Sequence, residues 1–374
     1  MDRLLDRIEI RRFRGLSELS LDGLGRFNVL LGANDVGKTS VLEAIFLLCG
    51  FANLQLPFSV QNFRNLPTNE FDDFRTLFYR LDLHNPIHIV GHSSGHVVRR
   101  DLQISATYES SDFPVRAKYL SRIQDDDVKR NRKENDIVSR SATDIIAERP
   151  ELRYDVRVHT GSEKNDSFSA IIYVEGDHFR VESHGNPRNP KTISGRFIGP
   201  RFAYETGVVG ELIVRKKASH IVEYLRRINP KIRDIAVSEG NVFLDIGLDR
   251  MVPINAFGSG ILRSTGILSY CMLGEQKVLL IDELRSGLHH TAIRPLLQTV
   301  LALSRGQNVQ ILATSHSLAI LERLIDVLSE DEFLDYRDDT CCFALQRDDA
   351  GHIRSYRYEY DQFEHCVRHG IEIR

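Results

Sequence analysis

The run Gly32-Ala33-Asn34-Asp35-Val36-Gly37-Lys38-Thr39 fills every fixed position of the pattern GxxxxGK[ST]. Those residue types suit one task. The glycines let backbone N–H groups converge on phosphate oxygens at the positive end of the helix that follows. Lys38 is spaced to reach the β- and γ-phosphates of a nucleotide, and the Thr39 hydroxyl to ligate Mg²⁺. Ser40 extends this candidate phosphate-binding set by one residue. A second cluster, Asp282-Glu283, closes an apolar run at 278–281. An aspartate at a strand end can hold the metal through its water shell, and the adjacent glutamate can orient and deprotonate an attacking water. A third polar cluster, Thr314-Ser315-His316-Ser317, follows an expected buried strand at 309–313.

These clusters need particular elements to carry them. Residues 26–31 end in a continuous apolar run, as a buried strand does, and 40–48 read as a buried helix. Strand, glycine turn and helix in that order frame a phosphate-binding loop. Residues 8–13 alternate as a half-exposed strand; 277–281 and 309–313 are buried strands flanking a helix at 291–303. Between 51 and 190 the pattern is weaker, with strand-like pieces at 84–98, 102–108 and 170–174. The charged stretch 121–153 contains Asp125-Asp126-Asp127 and Lys129-Arg130-Asn131-Arg132-Lys133. It reads as a solvated helix pair or a mobile insertion, with a phosphate-backbone contact as the sharper alternative. Helices with basic faces are expected at 211–217 and 220–227, the second stopped by Asn229-Pro230. A strand at 242–246 and a hairpin from 343–347 and 353–360 complete the reading. There is no internal repeat and no sustained heptad.

Composition sets limits. The 374 residues are 42% hydrophobic, so a sizeable core can form. Lys and Arg number 49 against 52 Asp and Glu, a formal charge of −3, which excludes a uniformly basic nucleic-acid binder but leaves local patches open. No window approaches 18 consecutive apolar residues, so no membrane span is expected. The charged start MDRLLDRIEIRRFRG does not resemble a signal peptide. Five cysteines without a CxxC pair fit a reducing, cytoplasmic setting.

Five segments together resemble the AAA15/OLD-like branch of ABC-class ATPases, which is related to RecF and to the heads of SMC and Rad50. They are IEIRRFRGLSELSL, GANDVGKTSVLEAIFLL, INAFGSGILR, VLLIDELRSGLHH and ILATSHS. The resemblance implies a P-loop α/β fold. Its head would have a mixed β-sheet and a helical lobe inserted before the signature. It also implies one head over 1–374, with a charged insertion at about 110–155 and a helical and signature lobe at about 205–260. ATP and Mg²⁺ are the implied substrate and cofactor. His316 would bond the γ-phosphate, and Gly258-Ser259-Gly260 would serve as the signature that reaches a partner's nucleotide in trans. Arg285-Ser286-Gly287 falls where relatives carry Glu-Asn-Gly, and Arg14 is either near the adenine or an exposed edge residue. Gln55, Gln61 and Gln103 all remain open as the Q-loop glutamine.

By the same resemblance, the heads pair as a homodimer or higher homo-oligomer. No heptads or zinc-hook CxxC lie between Thr39 and Phe257, which argues against SMC or Rad50 arms. The tail after His316 is too short for a TOPRIM nuclease. The implied role is an ATPase sensor of a prokaryotic antiphage system acting on a separately encoded nuclease or toxin effector. The alternative is a RecF-like repair factor, with Arg215-Lys216-Lys217 and Arg226-Arg227 to Arg233 contacting DNA phosphates in a salt-dependent way.

Overall fold

The computed structural model describes residues 4–93, 98–110, 148–160, 166–175, 178–184, 192–275 and 277–373. The chain opens with a hairpin of β1 (Arg7–Phe13) and β2 (Leu16–Asp22), whose alternating burial follows the alternation of its residues. Next come β3 (Phe27–Leu31), buried at every position, and α1 (Lys38–Cys49). After α2 (Leu56–Phe63) the chain forms β4 (Ile87–Ser93), β5 (Val98–Ser110), β6 (Glu148–Thr160), β7 (Asp166–Glu175) and β8 (His178–His184). These five join β1 and β2 in a seven-stranded antiparallel sheet of order β2-β1-β4-β5-β6-β7-β8.

The second half builds the other layers. It runs through β9 (Gly195–Ile198), α3 (Thr206–Val214), α4 (Ala218–Ile228), β10 (Asp234–Ser238), β11 (Asn241–Asp245) and β12 (Val252–Pro253). Then follow α5 (Ser259–Leu273), β13 (Val278–Ile281), α6 (His290–Gly306), β14 (Gln310–Ser315) and α7 (Ala319–Leu328). The chain finishes with β15 (Thr340–Arg347), β16 (Ile353–Tyr358) and α8 (Tyr360–Arg368). The central sheet has the order β16-β15-β3-β14-β13-β9, parallel throughout except for the antiparallel edge strand β16. Strands β10 to β12 form a small antiparallel sheet beside α3 and α4.

Helix α1 lies between the two large sheets, touching β1, β4 and β5 on one side and β9, β13 and β14 on the other. This explains its sequence. A helix covered on all sides can be apolar all round, and only Thr39 and Phe46 of α1 escape full burial. Gly91 on β4 permits the approach, since a Cβ there would lie 2.5 Å from Leu48 Cδ2. One apolar cluster fills the space around α1, and a second packs helices α3 to α8 under the opposite face of the central sheet.

The strand-like pieces at 84–98, 102–108 and 170–174 fall in β4 to β7, and the expected tail hairpin is β15–β16. Of the charged stretch, residues 121–147 lie outside the described residues, and its end from Glu148 belongs to β6 rather than to a helix. The region between 206 and 260 carries helices α3 and α4, but also the three short strands β10 to β12. Among the described residues, no helix is long and apolar enough to cross a membrane.

Candidate active site

The strand order brings the three polar clusters to one edge. Strand β14 lies between β3 and β13 with Leu31 level with Ser315 and Ala313 level with Ile281, so all three strands finish together. In open parallel sheets, ligands bind beyond such carboxyl ends. The 32–37 loop leaves β3 there. Gly32 and Gly37 hold φ of 149° and 94°, the left-handed half of backbone space that glycine reaches without strain. Gly37 also caps α1, so the N-terminal turn of a twelve-residue helix opens at Lys38 and Thr39.

Lys38 arches back over the loop, its Nζ donating to the carbonyls of Gly32 and Ala33 at 2.9 Å each. Burial lowers its pKa, and the nearby charges of Glu283, Asp282 and Asp35 oppose that shift. Thr39 Oγ1 donates to both carboxylate oxygens of Asp282 at 3.0 Å, across 243 positions of sequence. Thr314 Oγ1 donates to Asp282 Oδ1 at 2.7 Å and accepts the Glu283 N–H at 2.8 Å. Glu283 has φ +53° and its carboxylate meets His316 Nδ1 at 2.8 Å. An oxygen donor pair of hydroxyl and carboxylate at the mouth of a phosphate loop suits a hard divalent cation.

A cleft of about 450 Å³ is lined by Asn34, Asp35, Gly37, Lys38, Thr39, Ser40 and Glu283, with Arg14, Gly15 and Arg64 opposite. A second hollow on the other side of the loop takes in Gly32, Ala33, Val36 and His316. All the loop residues expected to bind phosphate therefore stand together with Asp282, Glu283 and His316.

Gly258, Ser259 and Gly260 do not line either space. They form the exposed start of α5, where Ser259 Oγ donates to Gly287 O at 3.1 Å. Arg285 and Ser286 turn to their own chain, bonding Ser317 Oγ at 3.0 Å and Pro200 O at 3.2 Å. None of the three open glutamines lines the cleft. Gln61 is buried against Arg14, Thr76 and the Asp73 carbonyl, Gln55 is exposed at the start of α2, and Gln103 sits on β5.

Arg14 is buried, which removes the exposed-edge alternative. Its guanidinium meets Glu43 at 2.6 Å, and burial lowers its pKa to about 10. The motif reading gives no role to Arg263, the last residue of INAFGSGILR. It lies one turn after Ser259 on α5, buried, and donates to the carbonyls of Asp282 and Glu283 at 2.8 and 2.9 Å. It also donates to Gly199 and Pro200 at 2.7 and 3.0 Å. Burial lowers its pKa to about 10. The available signal was a single charged residue in the otherwise uncharged helix SGILRSTGILSYCML.

The expected basic faces are largely occupied. Helix α3 ends at Val214, and Arg215 beyond it pairs with Glu211 and Glu275. Arg226 bonds the carbonyls of Ile232 and Arg233, and Arg227 reaches Glu223.

The fold and this site define a P-loop ATPase of the ABC class. Residues 27–322 match the family described as "AAA domain, putative AbiEii toxin, Type IV TA system", and the chain belongs to that family. A relative from Helicobacter pylori named "ATP/GTP phosphatase" is 21% identical over 92% of this chain and 93% of its own. The RecF DNA replication and repair protein of Acinetobacter baumannii is 57% identical, over 44 residues amounting to 12% of each chain. Among solved structures, an SMC head bound to the C-terminal winged-helix domain of ScpA aligns over 97% of this chain and all of its own, with TM-score 0.49 and 9% identity. The SMC head of Thermotoga maritima aligns over 95% and 99%, with TM-score 0.41 and 9% identity.

Proposed function

We propose that this ATPase is a nucleotide-driven switch of the AAA15/OLD-like type, in which ATP joins two copies and hydrolysis releases them. Lys38 and the loop amides neutralise phosphate charge, Glu283 takes a proton from the attacking water, and His316 both orients Glu283 and bonds the γ-phosphate. Thr39 and Asp282 would hold Mg²⁺, which supplies charge neutralisation at the phosphates. The observation that carries the two-copy reading is the position of Ser259. It sits at an exposed helix start and lines neither space beside its own phosphate loop. A second copy's cleft is the surface its hydroxyl and the amides of Gly258 and Gly260 can complete.

Complementation tests this. Lys38→Ala and Ser259→Arg should each be inactive alone, while their mixture should regain ATPase activity through the one composite site that is intact. A mixture as inactive as its components would contradict it.

The biological role we favour is sensing in an antiphage system with a separately encoded nuclease or toxin effector. The family description, with its putative toxin of a type IV toxin–antitoxin system, supports a role of that kind. The second reading, an ATP-dependent DNA-repair factor, draws on the 44-residue RecF likeness. The internal pairing of Arg215, Arg226 and Arg227 counts against their use on DNA. DNA-stimulated, salt-sensitive ATPase activity would favour repair. Co-purification with the product of a neighbouring gene, without a DNA effect, would favour defence.

A further inference from the structure

We propose that the cavity along the outer edge of β9 is a second ligand site, built for a small planar aromatic anion and coupled to Asp282 and Glu283. The cavity holds about 930 Å³, within the range of small-molecule sites, and none of the residues assigned above to nucleotide or metal lines it. Its walls are aromatic. Phe63, at the end of α2, stacks on Phe197 of β9 with ring centroids 4.2 Å apart and planes 8° from parallel, and Phe46 of α1 meets Phe63 at 5.3 Å. Phe63 stays 37% exposed, so part of its ring is left for a flat ligand to cover.

Charge and backbone narrow the class of ligand. Arg196 is occupied, since it pairs with Glu205 and lies 4.6 Å over the Tyr270 ring. Arg201 lines the same cavity, is exposed and has no ion-pair partner among the described residues, so the lining carries one uncompensated positive charge. An anionic group on the ligand supplies the missing partner. In β9 the carbonyls of Ser194 and Ile198 face β13, where they accept from the Val278 and Asp282 N–H groups at 3.1 and 2.9 Å. Alternation along the strand turns the N–H and C=O of Gly195 and Phe197 the other way, to the edge of the sheet that no described strand covers. There they can hold a polar atom on the rim of the ring.

The far wall of the cavity leads to the two acids. Gly199 and Pro200 line it, and their carbonyls accept from Arg263 Nη1 at 2.7 and 3.0 Å. Nη2 of the same guanidinium donates to the Asp282 and Glu283 carbonyls at 2.8 and 2.9 Å. There is little slack, because a Cβ on Gly266 of α5 would lie 1.8 Å from the Ala203 carbonyl oxygen. A ligand that shifts residues 199–203 therefore shifts Arg263 and the acids with it. The coupling rests on Asp282 and Glu283 being the acids of the proposed reaction, whereas the site itself does not.

Anilinonaphthalene sulfonate, a flat aromatic anion that fluoresces when bound, is the probe. Wild type, Arg201→Glu, Ser59→Trp and Lys38→Ala would be titrated with it, and each would be melted alone. Ser59 lines the cavity, and a tryptophan there fills it. Wild type should bind one probe saturably, Arg201→Glu at least fivefold more weakly, and Ser59→Trp at least tenfold more weakly. Lys38→Ala should bind it as wild type does, and saturating Mg·ATPγS should not compete it away. Equal binding by Arg201→Glu and Ser59→Trp, or full competition by ATPγS, would overturn the site. If Ser59→Trp does not fold, the exposed Arg201→Glu decides. At saturation the probe should shift the ATP turnover of wild type at least threefold and leave that of Ser59→Trp unchanged. Binding without any effect on turnover would overturn the coupling. Undiminished ATPγS binding by Lys38→Ala would instead mean that the phosphate-loop cleft had been misread, with the β9 site still standing.

Discussion

Thr314 and Asp282 are joined by a hydrogen bond of 2.7 Å, and the same threonine hydroxyl accepts the Glu283 N–H at 2.8 Å. One side chain on β14 therefore sets both acids at the end of β13. Thr314 is fully buried, so its hydroxyl has no water to replace either partner. Thr314→Val keeps the shape and removes the hydroxyl. Leaving the Glu283 amide without its partner should destabilise the protein by about 1–3 kcal/mol. Turnover should fall more than ATP affinity, because Glu283 loses its anchor. Denaturant titration and steady-state ATPase assays check both, with Thr314→Ser expected to recover them.

Arg263 links the start of α5 to the backbone of both acids. Its donors fork across carbonyls from two loops, a geometry that a lysine ammonium does not reproduce. Both Arg263→Met and Arg263→Lys should lower turnover by about a hundredfold, a typical loss when a positioning group in a catalytic site is removed. ATP affinity should change by only a few fold. Comparing kcat with the equilibrium affinity for ATPγS distinguishes this from a direct role in holding nucleotide, which would weaken affinity by a similar factor.

The thiols should differ sharply in reactivity. Burial pushes Cys49 and Cys271 up to about 12 and raises Cys342 as well, whereas Cys366 on α8 is only half-buried. Since the thiolate is the reactive form, alkylation of the folded protein at neutral pH should label Cys366 at least tenfold faster than these three. Peptide mass spectrometry over a time course would show the order. Equal labelling of Cys49 would mean that the packing around α1 opens readily.

The candidate cluster was legible in the sequence because its parts are local. Asp282, Glu283 and His316 each stand just after a short apolar strand, and Lys38 and Thr39 open the helix one glycine loop beyond another, so all of them meet at one edge of the parallel sheet. The antiparallel sheet was legible only in pieces, since β5 and β6 pair across a charged stretch whose composition carries no strand signal. Arg263 was hidden for a different reason. It bonds backbone carbonyls, which any residue supplies, so nothing at residues 199, 200, 282 or 283 announces the contact. Arg64 and Arg14 were obscured by Glu43, a lone acid in an apolar helix whose partners lie 21 and 29 positions away on other elements.

The most direct test of the account uses Glu283→Gln, which should keep the nucleotide contacts of Lys38 and Thr39 while removing the proton acceptor. Its mass would be measured by light scattering after chromatography, with and without Mg·ATP. The account predicts turnover reduced by about a hundredfold or more and a stable ATP-dependent dimer that the wild type forms only transiently. Turnover equal to wild type, or a mass that ATP leaves unchanged at every protein concentration, would contradict it.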